Sequence, residues 1–119
     1  MIRPIFQLAF VSIAGLIIYL SLIPHLPLPD VSYSDKVGHL LGYFALQLSG
    51  GIGFKRATGI WFVLAFNICL GLGLETAQLY VPNREASMAD MIANLAGIAL
   101  ALAILALMNR YTNAKAAKG

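Results

Sequence analysis

The chain has 119 residues, of which 60% are hydrophobic and 11% are charged, and its formal net charge is +3. A soluble globular domain carries roughly 25% charged residues, so this composition, with a mean hydropathy of +0.81, excludes an ordinary soluble fold and indicates a membrane protein. The basic residues are better explained as anchors beside anionic lipid headgroups, so we expect no nucleic-acid partner.

Four apolar runs without lysine or arginine follow one another along the chain. About 20 residues at a rise of 1.5 Å cross a hydrocarbon core of about 30 Å, so each run is a candidate transmembrane helix, although the second is short. We predict helices over residues 4–23, 36–53, 58–80 and 88–109. The first has no small-residue cleavage site after it, which favours a retained anchor over a signal peptide. The prediction is an all-α membrane protein, a four-helix antiparallel bundle forming one domain over residues 1–119.

Lysine and arginine are distributed unevenly between the two ends of such a bundle. One end holds six of them and the other holds only Lys36 and Arg84. The positive-inside rule then places both termini in the cytoplasm, and we expect a bacterial cytoplasmic (inner) membrane location. All five acids fall at the opposite, outer end. There the first outer loop, with prolines at 24, 27 and 29, is predicted to be non-helical.

The second predicted helix carries reactive side chains on one face. Asp35, His39 and Tyr43 follow at steps of four residues, with Lys36 beside them at the membrane boundary. A carboxylate can orient an imidazole, and imidazole is the side chain that titrates near neutral pH, so the face is suited to acid–base chemistry. Interhelical hydrogen bonding is the alternative interpretation. Ser34 or Asp35 is predicted to cap the helix.

The third and fourth predicted helices also place polar groups near the outer end. Glu75 and Gln78 lie one turn apart, and Asp90 and Asn94 lie one turn apart on the next helix. Charges inside membrane segments are costly, about 2.5 to 3.5 kcal/mol each at a helix centre, so they indicate functional sites. Ser87-x-x-Asp90 has the form of a capping box, which competes with a functional role for Asp90.

Small residues and one amide predict how the helices pack. Gly38 and Gly42 form a G-x-x-x-G pattern, and Gly97 belongs to a series of small residues at every fourth position of the last helix. Asn67 lies deeper in the membrane than the other polar residues, and we expect it to form an interhelical hydrogen bond.

Depth along the helices predicts that the polar groups form one site. Measured from the expected outer boundary at 1.5 Å per residue, six side chains from three helices fall within about 5 to 12 Å of that boundary. They are His39, Tyr43, Glu75, Gln78, Asp90 and Asn94. The short connection between the third and fourth helices is expected to hold Arg84 above Glu75 and Asp90.

The ordered set of these residues resembles the signature of the VanZ-like family of small bacterial membrane proteins. The matching elements are Asp35-Lys36-x-x-His39-x-x-x-Tyr43, Glu75-x-x-Gln78, Pro82-x-Arg84, Ser87-x-x-Asp90 and Asn94-x-x-Gly97. Leu40 stands where the family often has an aromatic residue. The resemblance implies a four-helix inner-membrane protein; the founding member is linked to resistance to the glycopeptide antibiotic teicoplanin.

Two functional hypotheses and one structural alternative follow. In the first, Arg84 and Lys36 bind a phosphate or another anionic headgroup of a membrane lipid or lipid-linked cell-wall precursor. In the second, Glu75 or an Asp35-supported His39 is a general base acting on such a lipid, with Arg84 stabilising negative charge. In the third, the polar groups only hold the helices together in a structural or assembly subunit.

The remaining expectations concern the rest of the site and its partners. The predicted binding residues beside Arg84 and Lys36 are Tyr43, Gln78, Asp90 and Asn94. No metal-ligand pair at helical spacing is identified, so we expect no metal and no cofactor. A homo-oligomer or a membrane partner protein is compatible with the small-residue helix faces.

Overall fold

The computed structural model describes residues 1–24 and 32–119, and these residues form four α-helices without a strand. Helix α1 spans Ile2–Leu22, α2 spans Ser32–Gly53, α3 spans Ala57–Gln78 and α4 spans Met88–Lys118. Three of them, α1, α3 and α4, are long and apolar enough to cross a membrane. The prediction of an all-α fold is therefore confirmed for the described residues, and three of the four predicted spans have the length and composition of membrane-crossing helices.

Helix α2 differs from the other three in composition and in position. Its 22 residues would reach about 33 Å, yet it lacks the long apolar segment of the other three because it carries Asp35, Lys36 and His39 near one end and Gln47 further along. It packs against all three other helices and most extensively against α4. The helix without a long apolar segment is therefore the central one.

The helix packing depends on a close approach of α2 to α4. A methyl group at Gly97 would collide with the carbonyl oxygen of Leu40 and lie 2.9 Å from the backbone nitrogen of Phe44. Only glycine lets the two backbones come this near. The predicted small-residue contact is confirmed at Gly97. A methyl group at Gly42 would touch Ile17 of α1 at 3.5 Å.

A cluster of buried apolar side chains fills the bundle away from the polar end. It comprises Phe10, Ala14, Tyr43, Leu46, Val63 and Ile98. The predicted amide contact is also present: Asn67 Nδ2 donates to Gln47 Oε1 at 2.8 Å, with both side chains fully buried. The prediction that Asn67 joins two helices is therefore confirmed.

The start of α2 and the end of α4 differ from the sequence prediction. Helix α2 begins at Ser32, so the prediction that Ser34 or Asp35 caps it is wrong. No proline follows Pro29 to delay the start, and Asp35 lies in the first turn, where a carboxylate stabilises a helix. Helix α4 continues to Lys118 rather than ending near residue 109. The tail lacks glycine and proline before Gly119, and its alanines and lysines favour helix.

The connection between α3 and α4 begins two residues earlier than predicted. Helix α3 ends at Gln78, and the chain turns through a backbone of positive φ, 60°, at Asn83 directly after Pro82. Asparagine tolerates this left-handed conformation better than most residues. The predicted non-helical outer loop falls mainly on residues 25–31, outside the described residues.

Candidate functional site

A pocket of about 310 Å³ lies between α1 and the first half of α2. Its apolar wall contains Ile17, Leu20 and Ile23 of α1, and its polar wall contains Asp35, His39, Tyr43 and Arg84. Gly38 and Gly42 also line it. The pocket therefore has one face suited to hydrocarbon and one suited to a polar group.

Gly38 leaves open space at this pocket. A methyl group placed there would meet no atom within 4 Å, among the residues that the structure describes. The G-x-x-x-G pattern therefore predicts helix contact correctly at Gly42 and wrongly at Gly38. Gly38 widens the pocket, a role that the sequence analysis missed because both glycines fit the same packing pattern.

An amide from α4 holds the imidazole of His39. The Oδ1 atom of Asn94, which is buried, lies 2.9 Å from His39 Nδ1. An amide oxygen can only accept a hydrogen bond, so Nδ1 carries the proton and donates it to Asn94. The nearest Asp35 oxygen is 4.0 Å from the other ring nitrogen, Nε2. The residue that orients the imidazole is therefore Asn94 rather than Asp35.

Asp90 extends from the first turn of α4 toward α2. Its Oδ2 atom lies 3.9 Å from His39 Nε2 and its Oδ1 atom lies 3.9 Å from Lys36 Nζ. The residue is only 5% exposed. The structure thus brings together four predicted site residues from two helices: Asp35, Lys36, His39 and Asp90.

The capping box predicted for Ser87 and Asp90 does not form. Ser87 occupies the N-cap position of α4, but its side chain makes no capping hydrogen bond. Its backbone N–H donates to Glu75 Oε2 at 3.0 Å instead of to Asp90. Glu75 of α3 therefore supplies the carboxylate at the start of α4, where the helix dipole stabilises negative charge. Asp90 is released from capping and faces α2.

This contact gives Glu75 a well-defined structural environment. The side chain is 5% exposed, and one of its oxygens binds the backbone at the start of α4. Glu75 is not among the residues that line the pocket. Its geometry suits a residue that joins α3 to α4 better than a base in contact with a pocket ligand.

Arg84 and Gln78 bind the end of α1, and we call them the α1 clamp. Arg84 Nε donates to the carbonyl of Ile23 at 3.1 Å, and Nη2 donates to the carbonyl of Leu20. Gln78 Nε2 donates to the carbonyl of Ser21 at 3.3 Å. The last carbonyls of a helix have no partner within it, so these bonds satisfy groups that would otherwise be unpaired in a membrane.

The clamp changes the roles predicted for its two members. The sequence analysis placed Arg84 above Glu75 and Asp90, whereas the structure places it at the end of α1 with Nη1 3.9 Å from Asp35 Oδ1. Much of its guanidinium is used by backbone carbonyls, although it still borders the pocket. Gln78 is almost fully buried and contacts α1. No sequence pattern identifies carbonyl groups as partners, which explains why this role was missed.

Tyr43 is among the most buried of the predicted site residues. It is 2% exposed, borders the pocket and belongs to the buried apolar cluster. A methyl group at Gly71 of α3 would lie 3.5 Å from the Tyr43 hydroxyl and 3.3 Å from Asn94 Nδ2. The glycine therefore makes room for both polar groups where α2, α3 and α4 meet.

The same region contains a set of potential metal ligands. Asp35, His39 and Asp90 offer ligand atoms that all lie within 4.8 Å of one another. The sequence analysis identified no metal-ligand pair, but Asp35 and His39 are four residues apart, a spacing that places two ligands on one helix face. The third ligand comes from α4, and that pairing is not visible in the spacing.

Comparison with known proteins agrees with the resemblance in the sequence. The VanZ/LLP1 family matches residues 5–109. An uncharacterized protein of the fission yeast Schizosaccharomyces pombe is 35% identical over 88 residues, which cover 71% of this chain and 52% of that protein. The chain thus spans about half the length of this curated relative. No solved structure matches. The chain belongs to the VanZ/LLP1 family.

Proposed function

We propose that the pocket between α1 and α2 binds the headgroup and the first part of the chain of a membrane lipid. The observation that carries this proposal is the pairing of an apolar wall on α1 with a polar wall on α2 around about 310 Å³. Ligand pockets of roughly 300 to 1,000 Å³ commonly combine an apolar lining with a few polar groups that fix orientation. Hydrocarbon would lie along Ile17 and Leu20, and the headgroup would lie beside His39.

An anionic lipid-linked envelope or cell-wall precursor is the ligand class that we propose. Arg84 borders the pocket, and Lys36 follows Asp35, which also borders it; arginine is suited to phosphate through its planar set of donors. The resemblance to glycopeptide-resistance proteins suggests a cell-wall intermediate. Asp35 lies beside Arg84 and Asp90 lies beside Lys36, so the two acids reduce the positive potential of the two cations. Arg84 and Lys36 alone would therefore bind an anion weakly.

The proposed topology has four membrane-spanning helices with both termini in the cytoplasm. Helix α2 is long enough to span, and its polar residues face neighbouring helices and the pocket rather than only lipid. A bacterial inner membrane is proposed on the family resemblance alone. The fission yeast relative shows that similarity to known proteins does not by itself indicate a bacterial host.

Cysteine labelling tests this topology. In a Cys69→Ala background, a cysteine at exposed position 85 should react only with reagent on the outer side. Reaction only from the cytoplasm would reverse the proposed topology.

Blocking the pocket tests lipid binding without touching a charged group. Leucine at Gly38, which lines the pocket and has no atom of residues 1–24 or 32–119 near its would-be methyl group, should fill the pocket, so we expect Gly38→Leu to lower binding of a polyprenyl phosphate at least tenfold. Gly73→Leu is the matched control, because Gly73 is exposed on α3 and a methyl group there also meets no atom within 4 Å in the part of the chain that the structure describes. Binding is measured by native mass spectrometry of purified protein titrated with lipid in detergent.

Three lipids distinguish the possible sources of the headgroup. Polyprenyl phosphate, phosphatidylglycerol and phosphatidylcholine are titrated separately into each variant. Selective loss of polyprenyl phosphate in Gly38→Leu supports a lipid-linked precursor, and equal loss of phosphatidylglycerol supports an anionic phospholipid. Equal binding of all three lipids by wild type, Gly38→Leu and Gly73→Leu would contradict the proposal that this pocket is a lipid site.

The contacts of three predicted site residues favour the structural alternative for those residues. Glu75 binds the start of α4, and the two members of the α1 clamp bind the end of α1. Replacing any of these three residues should lower the melting temperature and leave lipid selectivity unchanged. A fall in lipid affinity at unchanged melting temperature would instead assign them to the binding site.

A further inference from the structure

We propose that Asp35, His39 and Asp90 bind a divalent transition-metal ion, of the Zn²⁺ or Mn²⁺ class, at the polar wall of the pocket. The three residues come from two helices that pack closely, α2 and α4, so the site would join them. The metal-binding step stands on the geometry of the three residues alone. Only its consequence for the headgroup rests on the proposed lipid-binding function.

The distances within the cluster are close to those of a shared ion. Nε2 of His39 lies 4.0 Å from Asp35 Oδ2 and 3.9 Å from Asp90 Oδ2, and all three ligand atoms lie within 4.8 Å of one another, so small side-chain movements would bring them to one ion. Both separations exceed a hydrogen bond, so the ring nitrogen is not bonded directly to either carboxylate. Two ligand atoms that each stand about 2.1 Å from one ion are roughly 3 to 4 Å apart. An ion between the three atoms therefore needs little movement of either helix.

The protonation of His39 also favours a cation at this point. Nδ1 donates to Asn94 Oδ1 at 2.9 Å, so in the neutral imidazole Nε2 carries a lone pair that faces the two carboxylates. A cation among these three electron-pair donors would be stabilised by all of them. Metal-binding histidines almost always donate their other ring N–H to an acceptor, and Asn94 supplies that acceptor here.

The buried carboxylate of Asp90 adds a second observation. Asp90 is 5% exposed; its Oδ2 atom faces His39, and its Oδ1 atom, which faces Lys36, accepts no hydrogen bond from any residue that the structure describes. An ionised carboxylate oxygen in this state is costly without a compensating charge. Lys36 Nζ stands 3.9 Å away, but the lysine side chain is 39% exposed and flexible enough to turn outward when a metal binds.

The ligand set defines the class of metal and one remaining function. Imidazole favours transition metals and carboxylate favours harder cations, so one imidazole with two carboxylates suits Zn²⁺ or Mn²⁺ better than Ca²⁺ or Mg²⁺. Three protein ligands leave a coordination position for another molecule. Asp35 and His39 both border the pocket, so a phosphate oxygen of the proposed lipid would take that position.

This arrangement resolves the charge problem of the proposed binding site. Counted in their usual ionised forms, the carboxylates of Asp35 and Asp90 balance the cations Lys36 and Arg84, so the group has no net charge. A divalent ion changes that balance from zero to two positive charges. An anionic headgroup would then be attracted to the pocket rather than repelled by its carboxylates.

Metal binding is tested on purified, lipid-depleted protein in detergent. The protein is treated with a chelator, freed of it, and titrated with Zn²⁺ and then with Mn²⁺ by calorimetry. We expect one Zn²⁺ per chain and a rise in melting temperature on binding. Asp90→Asn and His39→Gln should weaken binding at least tenfold, and Lys36→Gln should preserve or strengthen it by removing the competing cation. Glu85→Gln is the matched control for loss of an exposed acid outside the cluster.

Two further measurements keep the outcome decisive. If His39→Gln or Asp90→Asn does not fold, X-ray absorption of the Zn²⁺-loaded His25→Gln protein must still show one imidazole ligand, which His39 then supplies. Absence of stoichiometric binding in wild type, or equal binding by wild type, Asp90→Asn and His39→Gln, overturns the metal site. Lipid titration with and without chelator separates the two proposals. If the chelator does not change lipid binding, the lipid site stands without a role for the metal. If the protein binds metal but no lipid, only the metal site stands.

Discussion

Two glycines show the difference between the packed part of this bundle and its polar end. At Gly97 an added methyl group would collide with the backbone of α2, whereas at Gly38 it would meet no atom of the described residues within 4 Å. One lies where α4 presses against α2, and the other lies on α2 beside the pocket. The same residue type thus serves close packing at one position and open space at the other.

The comparison separates two kinds of stabilisation in one small membrane protein. Away from the polar end, apolar side chains and close backbone contacts hold the helices together. At the polar end, charge-assisted hydrogen bonds hold helix ends, as Arg84 and Glu75 do, and leave a cavity between α1 and α2. Lipid tails provide no hydrophobic force between helices, so close packing must stabilise one part of the bundle and hydrogen bonds the other.

Alanine at the two glycines should give the largest contrast. We expect Gly97→Ala to lower stability by about 1 to 3 kcal/mol or to prevent folding, because the carbonyl of Leu40 belongs to a helix backbone and cannot move aside. Gly38→Ala should be neutral or stabilising by up to about 1 kcal/mol, since alanine favours helix more than glycine does. The measurement is the melting temperature in detergent. A lower melting temperature for Gly38→Ala than for Gly97→Ala would contradict the comparison.

Removing Arg84 should have the next largest effect. Arg84→Ala leaves the carbonyls of Leu20 and Ile23 without their donor, so we expect a loss of about 1 to 3 kcal/mol in stability. Arg110→Ala on the exposed tail is the matched control and should change stability little. Unfolding is followed by circular dichroism in mixed micelles. Equal stability of the two variants would show that Arg84 does not hold the end of α1.

The sequence predicts the helices well, and it predicts that Asp35, His39, Asp90 and Asn94 come together, because both depend on local patterns. Apolar runs of membrane length identify α1, α3 and α4, and the position of each polar residue within its helix follows from its distance to the run's end. The hydrogen bond of Asn67 to another helix is predictable for a different reason: a buried amide needs a hydrogen-bond partner.

The roles of individual site residues are much less predictable because they depend on contacts between helices. Nothing in the spacing reveals that Glu75 displaces Asp90 from capping Ser87. Likewise, the partner of Arg84 is a set of carbonyl groups, which every residue carries, so sequence cannot single them out. Residue type identifies which groups are costly to bury. The packing decides which partner each one finds.

The buried amide pair should show the smallest effect and test the packed part of the bundle. Asn67 Nδ2 donates to Gln47 Oε1, yet Gln47 Nε2 and Asn67 Oδ1 have no partner among the described residues. Either single change, Gln47→Met or Asn67→Leu, leaves the other amide unpaired and should be destabilising. The double variant should cost less than the sum of the two, by about 0.6 kcal/mol, the average coupling for such pairs in membranes.

Reversible unfolding of the four proteins in mixed micelles gives the coupling free energy. A double variant as stable as wild type would mean that the hydrogen bond barely offsets the two unpaired amide atoms, as expected where apolar packing already dominates. A coupling of several kcal/mol would instead mean that polar contacts also hold the packed part together. The contrast between Gly97 and Gly38 would then reflect available space alone, since polar bonding would hold both parts of the bundle.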